Sequence, residues 1–432
     1  MRPYTAAMYR GDVERTSKGQ CDGAQLAILL DRAFDTVAWM AATLGVKWQL
    51  PLGKFFDRKK ILAAQDGVVD LPPWDTIMAI GEGTGLMADL WAAVERHPDT
   101  ITVFHNAPVT DLITHGDTVT GLRVRHRATT TPYFGQVILA CGGFEASPRL
   151  RRQYLGEGWD LVSLRGSRFN TGTMLERAVD AGAGVAGHFG GCHATPHDLH
   201  APRVLAPTAT DQMSRYSFPY GILVNAAGRR FLDEGEDHFS LTYAKTGAAI
   251  VRQPQATAFQ VFDQQTLHLL EPRYATAKPI HADSLPDLAR KMGVPVEAFT
   301  ETVREYNAAT APDAAQRFNA FELDGVATGS GSRLAVPKSN WALPIDQGPF
   351  VAYGVTCGIT FTYGGLRTDD AARVLNEEGL VMPGLWAIGE IAGGFFAFNY
   401  PGGSGLTKGA VFGRIAGEAA AKRARMLSES MQ

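Results

Sequence analysis

The stretch richest in chemistry lies near the C-terminus, where AIGEIAGGFFAFNYPGGSGLTKGAVFGRIAGE runs from residue 387 to 418. The preceding GLWAIGE, residues 384–390, reads as a buried strand ending on a carboxylate, and Glu390 would be costly there without a hydroxyl or amide to bind. Gly402, Gly403 and Gly405 follow, just ahead of an alanine-rich run suited to a helix. Bare backbone amides at a helix start, reinforced by the helix dipole, make a seat for an electron-rich group. A second site of close approach is VILACGGFEAS, residues 137–147, where a buried strand runs into Gly142 and Gly143 and leaves room for another backbone or a ligand.

Other motifs carry less. The strict G-x-G-x-x-G at Gly182, Gly184 and Gly187 follows the helical TGTMLERAVDAG and precedes no helix pattern, so it predicts a helix C-cap and a tight turn, not a phosphate site. GEGTGL, residues 81–86, fits a glycine-rich helix entrance and a plain flexible loop equally well. His188, Cys192, His193, His197 and His200 invite a metal reading, but Pro196 spoils a helical i, i+4 pair and the spacing matches no standard site. They read as a pocket wall, with His193 the candidate substrate contact and no metal expected.

These groups need elements to hold them. Residues 22–44 set Leu26, Leu29, Leu30, Phe34, Val37 and Trp39 on or near one helical face, with Asp22 to cap the helix and Gly45 to end it. A second helix is expected from about Gly85 through LMADLWAAVERH. The period then changes. ITVFHN reads as a strand, VTDLITHGDTVTGLRVRH as a meander turning at residues 115–117, and GQVILACGG as a buried strand. That order suits an α/β nucleotide fold with an inserted antiparallel layer. From 205 to 345 the apolar content is patchier and includes the helix candidates LPDLARKM and VEAFTETVREYNAAT and the low-complexity VATGSGSR. The expected organisation is therefore a first domain over 1–204, a smaller inserted α+β capping domain over 205–345, and a return to the first domain over 346–432.

The chain has 432 residues, which points to two or three units. A formal charge of −3 and no block of Lys or Arg exclude nucleic acid as a partner. No apolar run is long enough to span a bilayer and no signal-peptide core opens the chain, so a cytoplasmic protein is expected. Cys21, Cys141, Cys192 and Cys357 are too scattered for a disulfide framework or an internal iron–sulfur centre.

The strand, the GE pair and GGSGLTKGAVFGRIAGE together resemble the C-terminal flavin signature of the fumarate reductase and succinate dehydrogenase flavoprotein superfamily. VILACGGF and the adenine-side FHNAPVTDL fit the same pattern, while FPYGILVNAAGRRFLDEGED, TYAKTGAAI, AVPKSNWALPID and VTCGITFTYGGL are most similar to tricarballylate dehydrogenases and the flavin half of cobalamin-pathway oxygenases. The resemblance implies FAD in a Rossmann-like domain of glutathione-reductase type, N-terminally incomplete, with cofactor contacts at Val109, Gly142, Gly143, Glu390, Asn399, Gly403, Ser404, Gly405, Leu406 and Thr407. A helix start aimed at the flavin would stabilise the negative charge that reduction brings. Family members begin with a βαβ unit that grips the pyrophosphate. Roughly 60 residues of that kind are expected upstream of this sequence, whether a misassigned start or a truncation removed them.

Departures from the pattern bear on the reaction. Fumarate reductases clamp a substrate carboxylate with a histidine and an arginine at the positions of Phe361 and Tyr400, and their catalytic arginine falls on Tyr243. A tyrosine there is similar to 3-ketosteroid dehydrogenases, so the resemblance implies desaturation of a C–C bond beside a carboxylate or carbonyl, with hydride passing to flavin N5. The alternatives are a steroid-type substrate, or an inactive or partner-dependent flavin-binding half. Catalytic candidates are Tyr243, Tyr400, His193, His238, Arg230 and Lys245, the last two as cations favouring a tyrosinate. For Tyr243, a base and a packed ring remain equally open readings. Arg215, Arg229, Arg333 and Lys338 join the candidates for substrate carboxylates, and an acceptor protein or quinone-linked partner is expected to take the electrons.

Overall fold

The computed structural model describes residues 4–51, 77–209, 211–332 and 334–430, so Arg333 lies outside the described residues. Helix α1 (Ala6–Ser17) is capped by the Thr5 hydroxyl, which accepts from the Met8 amide. Helix α2 (Gly23–Trp39) is capped as expected by Asp22, whose carboxylate accepts from the Ala24 and Gln25 amides, and a π-turn carries the chain out through Gly45 at φ +80°. The inward stripe of α2 and the π-turn is Leu26, Leu29, the half-buried Ala33, Thr36 and Met40, spaced three and four apart. Phe34, expected inside, is 83% exposed because that stripe leaves it on the outer side. Helix α3 (Glu82–Glu95) does start at the glycine-rich entrance, with Gly81 left-handed. A Cβ on Gly85 would lie 1.8 Å from the Ile80 carbonyl, so that glycine serves the turn itself.

The meander forms as expected from β1 (Val109–His115), β2 (Thr118–His126) and β3 (Thr129–Phe134). Residues 101–106, expected as a strand, are irregular: Ile101 and Phe104 are exposed, and β propensity without a partner strand does not make a strand. Strand β4 (Val137–Leu139) is followed by helix α4 (Pro148–Leu155), strand β5 (Ser163–Leu164) and helix α5 (Thr173–Asp180). The G-x-G-x-x-G sits at the end of α5 with Gly182 at φ +96°, and a Cβ on Gly184 would lie 2.7 Å from the Asn376 carbonyl. It is a chain crossing and a turn.

The longer strands that follow are β6 (Cys192–Asp198), β7 (Ile222–Asn225), β8 (Ala258–Phe262), β9 (Ile280–Ala282), β10 (Phe350–Thr362), β11 (Arg373–Leu375) and β12 (Val381–Ala387). Parallel pairing of β12 with β4 and antiparallel pairing with β11 make a three-stranded sheet against the meander. The larger sheet is built on β10. It holds β8 and then β6 antiparallel on successive stretches, and also pairs with β9 and, in parallel, with β5. This sheet therefore draws strands from both sides of residues 204 and 345. All residues of β6, β7 and β8 are buried, and β7 and β8 accordingly are largely apolar runs. Helices α7 (Leu285–Met292) and α8 (Val296–Ala309) cover one face, with Leu288, Phe299, Val303 and Tyr306 packed on Ile222, Val224 and Ala352.

Helix α6 (Phe239–Val251) runs along β6, and the long C-terminal helix α9 (Ser404–Ser430) shares a core with α1 and α2. Among the described residues no helix is long and apolar enough to cross a membrane. The approach of α6 to β6 depends on Gly247, where a Cβ would lie 2.5 Å from the Thr195 nitrogen. Gly→Ala in a free helix is stabilising by about 1 kcal/mol. Gly247→Ala should instead destabilise by about 1–3 kcal/mol, because backbone must move to admit the methyl group. Denaturant unfolding checks the sign, and a rise in midpoint would refute this account of the contact.

Candidate active site

The end of β10, the start of β6, the second turn of α6 and the turn into α9 converge on one cluster of rings. His193 lies opposite Phe361 in the β6–β10 ladder, and the two rings stack with centroids 5.0 Å apart. Tyr243, on α6, brings its hydroxyl to 2.6 Å from His193 Nε2. Tyr400 meets the imidazole edge-on at 4.6 Å, and its hydroxyl accepts from the Gly405 amide at 2.9 Å, in the first turn of α9. Tyr363 and Phe396 complete the wall. Three of the six catalytic candidates, Tyr243, His193 and Tyr400, thus sit together.

Burial raises the Tyr243 phenol well above its usual 10, the neighbouring Tyr400 and Tyr216 phenols add to this, and Arg165 opposes it. Burial also lowers the His193 imidazole well below its usual 6.5, and Arg165 lowers it further. The hydrogen bond therefore joins a neutral phenol to a neutral imidazole. With the imidazole proton on Nδ1, Nε2 is an acceptor for the phenol proton, which leaves the Tyr243 oxygen able to take a proton from elsewhere.

Arg165, which follows β5, is the functional residue that sequence reasoning missed. Its Nη1 donates to Thr360 Oγ1 at 2.5 Å, and it forms an ion pair with Asp211. Asp211 also holds Arg273, accepts from Ser214 Oγ, and lies 3.3 Å from the Tyr216 hydroxyl, whose ring packs against Tyr243. Nothing in LRGSRFN marks this arginine, because its partners arrive from residues 211 and 360. Arg165 Nε, His193 Nδ1, Thr195 Oγ1 and both ring nitrogens of His197 are buried without protein partners among the described residues. His193, Thr195 and His197 alternate along β6 and so share one face, a polar strip that calls for water or substrate.

The other candidates lie elsewhere. Arg230 binds Glu234 at 2.5 Å and the Val336 carbonyl at 2.7 Å, and Lys245 pairs with Glu236. Neither acts on the Tyr243 phenol, contrary to the expected role. Residues two apart on a helix point away from each other, and Arg230 is held under α8 against Tyr306. The cation acting on the phenol is Arg165. His238 immediately precedes α6, with Nδ1 3.0 Å from Ser240 Oγ, and burial lowers it to about 4. Arg215 is paired with Asp198, Arg229 Nη1 donates to Thr302 Oγ1, and Lys338 Nζ donates to the Gly221 carbonyl.

The cofactor candidates form a second group beside the first. A Cβ on Gly143 would fall 2.2 Å from Thr362 Oγ1 and 2.3 Å from Glu390 Oε1, so glycine lets the end of β4 reach the partly exposed Glu390. Glu390 Oε1 accepts from the Thr362 amide at 2.7 Å. Gly142, at φ +75°, packs on Asn170. Asn399 donates to the Leu241 carbonyl while its Oδ1 is buried without a protein partner among the described residues. Gly403 turns the chain at φ +83° into Ser404, whose Oγ accepts from the Tyr9 hydroxyl at 2.6 Å; Thr407 is partly buried and Leu406 is 73% exposed. Lys408, also missed, is buried and donates to the Gly389 and Ala392 carbonyls, tying α9 to the Glu390 turn. An acid for ribityl hydroxyls, an unpartnered amide oxygen and the dipole of a 27-residue helix fit the flavin end of FAD. Val109 opens on a cleft of about 330 Å³ with Phe104, Ala107, Tyr133 and Gln136.

Comparison with known proteins gives a match to the family described as FAD binding domain over residues 8–406. The chain is 30% identical over 290 residues to an NADH:acrylate oxidoreductase of Vibrio harveyi, covering 66% of this chain and 26% of that protein. It is 30% identical over 391 residues to a 4-oxocyclohexanecarboxylate 2-dehydrogenase of Sinomonas cyclohexanicum, covering 81% and 64%. The fold is similar to the open conformation of a flavocytochrome c3 fumarate reductase, with TM-score 0.67, 23% identity, and coverage of 98% of this chain and 68% of that one. The chain spans 26% to 32% of the length of the first curated relatives it matches.

The Arg165 assignment has a direct consequence. Arg165→Met removes the charge that adds to burial in keeping His193 unprotonated, so the imidazole should titrate at a higher pH in the variant, read by NMR of the ring. An unchanged titration would show that burial alone sets it.

Proposed function

Because the chain belongs to the FAD binding domain family, with FAD as its cofactor, we propose that it is the catalytic flavoprotein part of an oxidoreductase that desaturates a carbon–carbon bond beside a carbonyl group. The observation that carries this reading is the buried 2.6 Å contact between the Tyr243 hydroxyl and His193 Nε2, set beside the N-terminus of α9. Bound FAD supplies the hydride acceptor. Tyr243 takes the proton from the carbon next to the activating group as its own proton moves to His193 Nε2, so the imidazole leaves the step as the cation. Arg165 favours the phenolate side of that transfer and disfavours the imidazolium, and Asp211 offsets the second effect.

The walls narrow the substrate. Phe361, Tyr363, Phe396 and Tyr400 suit a flat, weakly charged ring, and Phe361 and Tyr400 stand where fumarate reductases carry a charged clamp. A tricarboxylate of the tricarballylate type needs several available cations, whereas Arg215, Arg230 and Lys338 are each engaged with protein groups. A cyclic ketone, with or without one carboxylate, is therefore the better fit. Relatives named for 4-oxocyclohexanecarboxylate and 3-oxosteroid dehydrogenation support this choice. Electrons leave to an acceptor protein or a quinone-linked carrier in this reading.

With the protein loaded with FAD and 4-oxocyclohexanecarboxylate as the probe, Tyr243→Phe should slow flavin reduction roughly 10²-fold, the usual span for losing a general base, and leave the bound-flavin spectrum intact. Reduction at the parent rate would remove Tyr243 from the role. A protein that stays colourless with FAD in excess would overturn the reading as a whole.

A further inference from the structure

Behind the cofactor candidates lies a pair of acids that the proposed proton transfer does not use. Glu145, two residues after Gly143, is fully buried. Its Oε1 accepts from Asn170 Nδ2 at 2.6 Å, and the same amide nitrogen lies 3.3 Å from Glu390 Oε2. Glu390 Oε1 is already engaged by the amide and hydroxyl of Thr362, at 2.7 Å and 3.1 Å. Glu145 Oε2 is buried with no protein donor among the described residues. The space is closed on a third side by Gly166, where a Cβ would lie 3.1 Å from Glu145 Oε1 and 2.3 Å from the Thr360 carbonyl.

Lys408 acts on Glu390 through its charge, without pairing with it. Among the described residues neither carboxyl has an ion pair, and the one nearby ammonium, Lys408, is directed to the Gly389 and Ala392 carbonyls. The other titratable groups facing the pair are the Cys141 and Cys192 thiols, both pushed up by burial and neutral. Two carboxylates bound to one amide in such a place cannot both be ionised. We propose that Glu145 and Glu390 share a single proton, and that Glu145 is the positioning residue that fixes Glu390 at the cofactor seat. The proton supplies the donor that Glu145 Oε2 lacks. This inference rests on the FAD assignment alone and stands or falls apart from the substrate reading.

The direction of the pH effect follows. Burial, and next the Glu390 carboxyl, push Glu145 well above its usual 4.5; burial also raises Glu390. A proton held more tightly in the folded state stabilises it fully below the unfolded value of about 4.5, and that stability is lost as pH rises toward the folded value. Between the unfolded and the folded values, one extra proton in the folded state makes the unfolding equilibrium constant rise about tenfold per pH unit.

The test compares the parent with Glu145→Gln and Glu145→Ala, all without FAD. Glutamine keeps a hydrogen-bond donor toward Glu390 but carries no titrating proton. Its unfolding constant should therefore lack that tenfold-per-unit component, and the infrared band of a protonated carboxyl, present in the parent at pH 8, should be absent. Equal pH slopes in parent and Glu145→Gln, or no such band in the parent, overturn the shared proton. FAD titration then tests positioning. Glu145→Gln should bind within about twofold of the parent and Glu145→Ala roughly tenfold more weakly, the scale of one lost charged hydrogen bond. Parent-like FAD affinity in Glu145→Ala overturns the positioning role. Should that variant fail to fold, the infrared titration of the parent still decides the proton, and loss of FAD affinity in Glu145→Gln would overturn the positioning role.

Discussion

Strand β10 is hydrogen-bonded to other strands at both ends and on both sides, and this pairing fixes the distance between the rings of the site and the cofactor seat. Its first residues pair with β8 and β9 in the part of the chain capped by α7 and α8. Its last residues pair with β6, present Phe361 to His193, and end at Thr362, whose amide binds Glu390. A single strand thus carries one wall of the substrate region and one ligand of the acid at the cofactor seat. Because a one-residue slip turns every side chain to the other face, the register of β10 cannot drift without dismantling both.

The electrostatic character of the site follows from how completely it is enclosed. Tyr243, His193, His238 and Glu145 are all displaced toward their neutral forms, and in each case burial is the largest cause. Several of the charges that remain are matched: Arg165 and Arg273 with Asp211, Arg215 with Asp198, Arg230 with Glu234. In such a place a new charge is costly, so the imidazolium of the proposed transfer depends on the Asp211 charge to offset burial and Arg165.

What could be read from the sequence is what local order determines. Asp22 as a cap, the turn of the meander, the start of α9 and the role of 182–187 as a turn all depend on neighbours within a few residues, and all appear as expected. Tyr243 could be named only through resemblance, and His193 only as part of a pocket wall. Their contact spans fifty positions and is made by a helix lying along a strand. Arg165, Glu145 and Lys408 carry no local signal, because each is defined by partners that the fold brings from far along the chain. Arg230 and Lys245 illustrate the converse error. Proximity in sequence to Tyr243 said nothing about which way a helix or a turn would aim them.

Helix α1 touches both halves of the site region at once. Tyr9 reaches Ser404 at the head of α9, while Arg15 pairs with Asp237 just ahead of α6, through a guanidinium that is 55% exposed. The first link is a short hydrogen bond in a partly buried setting, and the second is an ion pair open to solvent. Dissolved salt weakens the second far more than the first. The tether between α1 and the Tyr243 helix is thus tunable by ionic strength, while the tether to the C-terminal helix is not, so the surrounding electrolyte sets how firmly the two are strapped together.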